Sequence, residues 1–283
     1  DDKPLPMIVR KSDGAYLYAT TDIAAVRYRL NELQAGRLIY VTDARQSQHF
    51  AMLFAAVRRA GWAAEDVKLD HMPFGTVLGP NRKPFKTRDG GTIKLVDLLD
   101  EAELKTASVI EKKNSEMPEK QRQEAAKVIS IAALKYADLS NDRIKDYVFD
   151  WDRMLALDGN TAPYLQNAYV RILSIFRKGD IERQTIDKGA VIIQASSERT
   201  LALKLFQYAA AVEAVTERLE PHRLCTFLYE LASCFHSFYE ACPILKDGIE
   251  KDVRNSRLAL CDLSARVIKD GLGLLGIETV EQM

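Results

Sequence analysis

A change of hydrophobic periodicity near residue 95 constrains the fold more than any other feature of the sequence. Before it, short runs of β-branched and aromatic residues at 15–20 and 37–44 alternate with two stretches, 22–36 and 47–61, whose apolar residues recur at helical spacing. After it, nearly every segment has helical spacing. Alternating strand and helix predict a parallel sheet flanked by helices, whereas continuous helical spacing predicts a bundle. We therefore expect an α/β first part followed by an all-α second part.

Several predicted elements carry signals at their ends. Gly36 and Gly61 end the first two helical stretches, and Asn160 and Thr161 are candidate caps for a later helix. The apolar positions of the first helical stretch are Ile23, Val26, Leu30 and Leu33. The remaining predicted elements are a strand and turn at 67–79, a strand-like segment at 143–151, and helices at 95–114, 119–140, 159–179, 197–220, 221–242 and 252–275.

Composition describes an ordinary globular protein. The 283 residues are enough for about two domains, and 47% of them are apolar. No apolar stretch approaches the ~20 residues of a membrane helix, so we expect no membrane partner. Lysine plus arginine equal aspartate plus glutamate at 40 each, so nucleic-acid binding would need local basic patches.

The cysteines and the first residues of the chain indicate the cellular compartment of the protein. The four cysteines form no CxxC pair, so we expect no metal site and free thiols in a reducing cytoplasm. The start, "DDKPLPMIVR", has neither an initiator methionine nor the order of a signal peptide. We therefore expect a cytoplasmic chain that is part of a longer protein.

Polar side chains occur at the ends of two predicted strands. Tyr18 and Asp22 flank "ATT" where a strand gives way to a helix, so both side chains could point into a cleft above the sheet. The alternative is that Asp22 or Thr21 is a helix cap and Tyr18 a strand aromatic. Both interpretations stay open at this point.

The second strand end is unusually polar. The segment "TDARQSQH" places Gln46 and His49 among several polar residues just before an apolar helix. A capped helix start needs only one such residue, so the excess favours a binding site. A single histidine at a helix start is nevertheless more often a surface residue than a catalyst.

The stretch "NRKPFKTRDGGTIKL", residues 81–95, places Lys83, Lys86 and Arg88 beside a Gly-Gly pair. Clustered cations on a glycine-rich loop favour a bound anion, and the glycines of the preceding "FGTVLG" permit a flat ligand to approach the backbone. The alternative is a solvated hairpin tip. Neither GxxxxGK[ST] nor GxGxxG is present.

Taken together, these segments resemble a known family. The stretches that carry the resemblance are "YLYATTDIAAVRYRL", "YVTDARQSQHF", "KPFKTRDGGTIKLVDLLDEA", "ALKYADLSNDRIKDYVFDWDRMLALDGNTAPYLQNAYVRI" and "VRNSRLALCDLSARVIKDGLGLLGIETVEQM". In order and over essentially the whole chain, they are similar to the C-terminal half of bacterial arginyl-tRNA synthetases, which are class I aminoacyl-tRNA synthetases. The family carries a HIGH motif in the first half of a Rossmann-type catalytic domain, and no such stretch occurs here. The resemblance implies that the chain alone does not aminoacylate.

The resemblance implies three regions and a set of ligands. The second half of the catalytic domain would occupy 1–107, a helical connecting region 108–158, and an all-helical anticodon-binding domain 159–283. The implied partners are L-arginine, ATP with Mg²⁺ as its substrate complex, and tRNA(Arg), and a monomer is expected.

The resemblance also implies roles for individual residues. Tyr18 and Asp22 would hold the guanidinium group of arginine, which suits a planar fork of donors, and Gln46 would contact the bound amino acid. The residues implied to bind ATP are His49, Phe74, Gly75 and Val77. Lys83, Lys86 and Thr87 would match the catalytic KMSKS loop of class I enzymes and stabilise charge on departing pyrophosphate, although Pro84 and Phe85 depart from that motif. The residues implied to bind tRNA are Tyr164, Arg171, Tyr239, Arg254, Arg257 and Met283.

Two alternatives stay open. One is another class I synthetase, such as the cysteine enzyme, although that enzyme would need zinc-ligand cysteines. The other is a non-catalytic RNA-binding protein that uses only the helical bundle. The polar sets at the strand ends argue against it, because a binding module does not need them.

Overall fold

A computed structural model of the chain describes residues 6–79, 81–83, 94–186, 189 and 191–282. The predicted site residues Lys86, Thr87 and Met283 lie outside the described residues. The chain forms two compact units. The first contains residues up to Thr76 together with Ile144–Asp146, and the second contains Val77–Arg143 and the residues from Tyr147 onward.

The first unit is a small parallel α/β structure. Its elements are α1 (Tyr18–Asn31), β1 (Arg37–Asp43), a 3-10 turn (Ala44–Gln46), α2 (Ser47–Arg59) and β2 (Lys68–Phe74). Strands β1 and β2 are parallel, and their register runs from Arg37 opposite Lys68 to Asp43 opposite Phe74. The parallel sheet predicted from alternating periodicity is confirmed.

The core of the first unit lies where α1 and α2 pack on each other and on the sheet. Val26 and Leu30 from α1 are buried with Leu53 and Val57 from α2. Leu33, predicted on the same apolar face as Val26, is instead 60% exposed because α1 ends at Asn31. The helical spacing was therefore correct, but its last position was wrong.

The predicted strand at 15–20 is wrong. Tyr16 makes only an isolated antiparallel bridge to Arg10, and α1 already begins at Tyr18. The physical reason is that Ala19 lies seven residues before Val26, so the buried stripe of the helix extends back to it. Asp22 is consequently inside the helix and is not its N-cap.

The second unit is mostly helical. Its elements are β3 (Val77–Leu78), α3 (Leu95–Lys113), α4 (Glu119–Leu139), β4 (Tyr147–Val148), α5 (Trp151–Met154), α6 (Ala162–Gly179), a second 3-10 turn (Arg183–Thr185), α7 (Ser196–Phe206), α8 (Tyr208–Arg218), α9 (His222–Ala241) and α10 (Lys251–Leu274). Strands β3 and β4 form a two-residue parallel pair. One large core contains buried residues of α6, α9 and α10.

Helix α6 is anchored at both ends. The Thr161 side chain accepts a hydrogen bond from the Tyr164 amide at 3.2 Å, so Thr161 is the cap. Asn160, the other candidate, instead accepts a hydrogen bond from the Tyr136 hydroxyl at 2.6 Å. At the C-terminal end, Asp180 adopts the left-handed conformation with φ of 50°. The element predicted at 159–179 is therefore confirmed.

Two other predicted elements need correction. The helix predicted at 197–220 is divided into α7 and α8 at Gln207, whose amide bonds to the Lys204 carbonyl in a tighter turn. The strand-like segment at 143–151 shortens to β4, because Asp150 accepts a hydrogen bond from the Arg153 amide and starts α5. Both changes depend on local hydrogen bonds that the apolar pattern does not encode.

The four cysteines are free thiols, as predicted. Cys225, Cys242 and Cys261 are buried, and burial raises the pKa of Cys225 to about 12. They therefore act as small apolar residues of the core. Within the residues that the structure describes, no helix has the combination of length and apolar character needed to traverse a bilayer.

Candidate functional site

Helices α1 and α2 bring together three side chains from two separate segments of the sequence. Tyr18 and Asp22 are four residues apart, so they lie on one face of α1. His49 lies in the first turn of α2, and its Nε2 is 2.7 Å from Asp22 Oδ2. The Tyr18 and His49 ring centroids are 5.0 Å apart. Phenol, carboxylate and imidazole thus form one cluster on the first unit.

The cluster is open on its carboxylate side. The side chain of Asp22 is 40% exposed, whereas that of His49 is only 15% exposed. Tyr18 is 70% exposed. Among the described residues, Asp22 Oδ1 and the Tyr18 hydroxyl have no hydrogen-bond partner. A half-exposed carboxylate with one free oxygen beside a phenol suits a ligand that is a cationic hydrogen-bond donor.

The polar segment after β1 divides into structural and free side chains. Asp43 accepts hydrogen bonds from the Arg45 amide and from Arg45 Nε, both at 2.8 Å. The hydrogen bonds from the Arg45 side chain and amide lower the pKa of Asp43 to about 2. Gln46 is exposed, and its side chain has no bond to any other described residue. Asp43 therefore caps the 3-10 turn and pairs with Arg45, and Gln46 remains free to meet a ligand.

Two residues that the sequence analysis did not select for the site, Phe50 and His71, support the cluster. The Phe50 ring stacks on His71 with centroids 4.7 Å apart, and His71 Nε2 is 2.8 Å from Thr42 Oγ1. Phe50 also meets His49 edge-on at 5.2 Å. A histidine in the interior of a predicted strand was the available signal, but its partner could not be found without the register of β1 and β2.

Gly75 has a structural reason to be glycine. A methyl group at this position would lie 2.8 Å from both the carbonyl carbon and the oxygen of Lys145. The next amide, that of Thr76, donates to Asp146 Oδ1 at 2.7 Å. Phe74, at the end of β2, is 43% exposed. The chain after β2 is therefore held against Ile144–Asp146 within the first unit.

Val77 and Lys83 belong to the second unit. Val77 is in β3 and lies opposite Tyr147 of β4. Lys83 closes a tight turn, because its carbonyl accepts a hydrogen bond from the Gly79 amide at 2.8 Å, and its side chain is exposed. Arg82 in this turn has a φ of 57°. The part of the cationic stretch that is described is thus a compact turn with its lysine outward.

A basic groove of about 720 Å³ lies on the second unit between α6 and the segment after α9. Its lining includes the cations Arg171, Arg177, Lys178 and Lys246, together with the Tyr239 ring. The described lining contains no acidic side chain. Such a groove suits an anionic ligand with flat groups.

Aromatic and imidazole side chains position Arg171 and Tyr239 at this groove. Arg171 Nη1 donates to His236 Nδ1 at 3.2 Å, and its guanidinium carbon lies 5.9 Å from the centroid of the Tyr239 ring. Burial, together with the charge of Arg171, lowers the pKa of His236, so the ring is neutral and can accept this bond. Tyr239 stacks on Phe235, and Tyr164 packs on His236 with centroids 5.2 Å apart.

The other two predicted tRNA-binding arginines make bonds within the fold. Arg257 Nε donates to Glu198 Oε1 at 2.7 Å and its Nη1 donates to the Pro243 carbonyl at 2.6 Å. Arg254 Nη2 donates to the Lys246 carbonyl at 3.2 Å. Among the described residues, no group of three or more histidine, cysteine, aspartate or glutamate side chains could hold a metal ion.

Parallel α/β structure followed by a helical unit with a basic groove points to a class of protein, the class I tRNA synthetases. Residues 2–151 match the family model described as tRNA synthetases class I (R), catalytic domain. Residues 165–283 match the DALR anticodon binding domain. The chain belongs to the arginyl-tRNA synthetase family.

Individual relatives agree with this assignment. The chain is 52% identical to arginine–tRNA ligase of Hahella chejuensis and 50% identical to that of Cellvibrio japonicus, in each case over 100% of its length. These matches cover 48% and 49% of the two relatives. The structure of arginyl-tRNA synthetase from Plasmodium falciparum matches with a TM-score of 0.85 and 30% identity, over 100% of this chain and 48% of that one. The chain spans about half the length of the curated relatives it matches.

Proposed function

We propose that this chain forms part of an arginine–tRNA ligase, which activates L-arginine with ATP and transfers it to the 3′ end of tRNA(Arg). The observation that carries the proposal is the half-exposed Asp22 carboxylate, whose Oδ1 is free and which shares a cluster with His49 and the Tyr18 ring. The names of the relatives support the same activity. The comparisons favour neither a cysteine enzyme nor a non-catalytic RNA-binding protein.

Arginine recognition is assigned to the cluster on α1 and α2. The guanidinium group presents a planar fork of donors, which a carboxylate accepts better than it accepts the compact ammonium group of lysine. The Tyr18 hydroxyl, from the residue four positions before Asp22 on the same helix face, offers a second acceptor. Gln46, exposed at the start of α2, is assigned to the rest of the bound amino acid.

Adenylate formation is in-line attack of the arginine carboxylate on the α-phosphorus of ATP, and pyrophosphate leaves. No general base is needed for this step, so the protein acts through positioning and through charge stabilisation. Mg²⁺ is assigned to the ATP phosphates as part of the substrate. The loop residues assigned to the departing pyrophosphate are Lys83, Lys86 and Thr87, and those assigned to ATP are Phe74, Gly75 and Val77. The resemblance also implies His49 for ATP, but its 2.7 Å contact with Asp22 favours a role in the cluster assigned to arginine.

tRNA(Arg) is assigned to the helical unit. The basic groove combines cations for phosphates with the half-exposed Tyr239 ring, on which an unstacked base can lie. The remaining residues assigned to tRNA are Tyr164, Arg254, Arg257 and Met283. We retain the division into 1–107, 108–158 and 159–283, and we assign the protein to the cytoplasm as a monomer.

Exchange of Asp22 for asparagine tests the proposal. In the full-length protein that contains this chain, Asp22→Asn should raise the KM for arginine about 100-fold, because the guanidinium loses its charged partner. The measurement is ATP–pyrophosphate exchange in the presence of tRNA(Arg). Glu32→Gln is the matched control, since Glu32 is an exposed carboxylate just after the same helix.

The chain by itself should not aminoacylate, because its relatives are about twice as long. An unchanged arginine KM in the Asp22→Asn protein would remove this residue from the arginine site. A full-length protein that exchanges pyrophosphate equally well with another amino acid would overturn the assignment of arginine as substrate.

A further inference from the structure

We propose that His49 is a positioning residue that sets the orientation of the Asp22 carboxylate for the guanidinium group of arginine. The inference rests on the proposed function, and it adds a residue that governs affinity for the amino acid. The carrying observation is the 2.7 Å contact between His49 Nε2 and Asp22 Oδ2, which links α2 to α1 across 27 positions of sequence.

The chemistry of the pair fixes where the proton lies. An ionised carboxylate can only accept hydrogen bonds, so His49 Nε2 must carry the proton and donate it to Oδ2. This bond occupies one carboxylate oxygen and fixes the plane of the group. Oδ1 keeps all its acceptor capacity and is the oxygen left for a ligand.

His49 itself is held in place on two sides. The Tyr18 ring lies against it at an interplanar angle of 44°, and Phe50 meets it edge-on at 73°. Phe50 is buried at 5% exposure and stacks on His71, which contacts Thr42 on the neighbouring strand. These contacts with the sheet therefore fix the orientation of the imidazole. The hydrogen bond from the imidazole in turn fixes the orientation of the Asp22 carboxylate.

Histidine suits position 49 as a donor to Asp22 because its side chain carries no permanent charge. A lysine or arginine would neutralise Asp22 and compete with the substrate for it. An imidazole can satisfy one oxygen without a permanent charge of its own, and it leaves Oδ1 for the guanidinium group. Without any donor, the carboxylate would rotate and would have to be ordered when arginine binds, which costs affinity.

Two substitutions separate this role from simple packing. His49→Phe keeps an aromatic ring between Tyr18 and Phe50 but removes the donor. His49→Gln keeps a donor, since its Nε2 can take the place of the imidazole Nε2. In the full-length protein, His49→Phe should raise the KM for arginine about tenfold while the KM for ATP stays unchanged, and His49→Gln should restore most of the arginine affinity.

A measurement on the unsubstituted protein does not depend on how the variants fold. Addition of arginine should shift the NMR signal of the His49 Nε2–H proton, whereas addition of ATP alone should not. An arginine KM that is unchanged in His49→Phe, or a signal that responds only to ATP, would overturn the positioning role while leaving the proposed function intact. Full-length protein that does not activate arginine at all would overturn the proposed function and, with it, this inference.

Discussion

Glu198 is a charged residue that the helical unit buries completely. Its side chain is 0% exposed, and it accepts hydrogen bonds from the Ala195 amide at 2.8 Å, the Gln194 amide at 2.6 Å and Arg257 Nε at 2.7 Å. Burial by itself raises the pKa of Glu198, but these hydrogen bonds, with that from the Ala195 amide the largest, outweigh it and the pKa is lowered. The start of α7 is thereby tied to α10.

Glu198→Gln should destabilise the chain by about 3 kcal/mol at pH 7, because it leaves Arg257 buried without a counter-charge. Because the pKa of Glu198 is lower in the folded protein than its ordinary value of 4.5, the ionised carboxylate stabilises the fold fully at pH values above 4.5. This stabilisation is lost as the pH falls through the lowered pKa. Because glutamine does not titrate, the Glu198→Gln protein should lose less stability than the unsubstituted protein as the pH falls below about 4.5. Urea unfolding at several pH values measures both effects.

Glu111→Gln is the matched control for this prediction. Glu111 pairs with Arg122 at 3.3 Å but is 62% exposed, so its loss should cost less than about 1 kcal/mol. Equal losses in the two variants would contradict the structural role of the buried pair.

At the scale of elements, the sequence predicted those whose apolar spacing is unbroken. Helices α2, α6, α9 and α10 and strand β1 lie where the pattern placed them, because each buries one continuous face. The start of α1 was missed because tyrosine and threonine at 16–21 favour strands locally, and packing of Ala19 overrides that preference. The break at Gln207 was missed because neither glycine nor proline marks it.

The segment after β2 also depends on a contact that no local pattern reveals. Gly75→Ala should destabilise the first unit by about 2 kcal/mol, because the new methyl group would meet the Lys145 carbonyl at 2.8 Å and backbone atoms cannot move aside easily. Gly36→Ala is the control: it has no atom within 4 Å of the added methyl group and should leave stability unchanged. Chemical denaturation followed by circular dichroism measures both, and equal stability of the two variants would contradict the close approach.

For the whole molecule, the sequence identified the residues of each site more readily than it identified the residues that they contact. Tyr18, Asp22 and His49 were each selected as candidates, but the pairing of Asp22 with His49 needs α1 and α2 packed together. Arg257 was selected as a cation for tRNA, and the fold also gives it a buried partner, Glu198, that its sequence position does not reveal. Spacing identifies a helix face, whereas the identity of the opposing residue depends on contacts between distant segments.

The distribution of charged side chains over the surface also depends on the whole fold. The chain has a formal net charge of zero, yet the groove beside Tyr239 gathers four cations. If tRNA phosphates bind there, affinity should fall with salt, and each phosphate contact removed should lower the slope of log K against log salt by about 1. Lys178→Ala and Lys246→Ala, both at exposed residues of the groove, should each lower that slope and weaken binding of tRNA(Arg) by the chain.

Lys127→Ala is the matched control for these two substitutions. Lys127 is an exposed lysine of α4 in the same unit but does not line the groove, so its removal should leave the slope unchanged. Fluorescence anisotropy with labelled tRNA(Arg), across a series of salt concentrations, supplies the slopes. Because the three variants carry the same charge change, any difference between them reports position alone, and three identical slopes would mean that the groove is not the phosphate-binding surface.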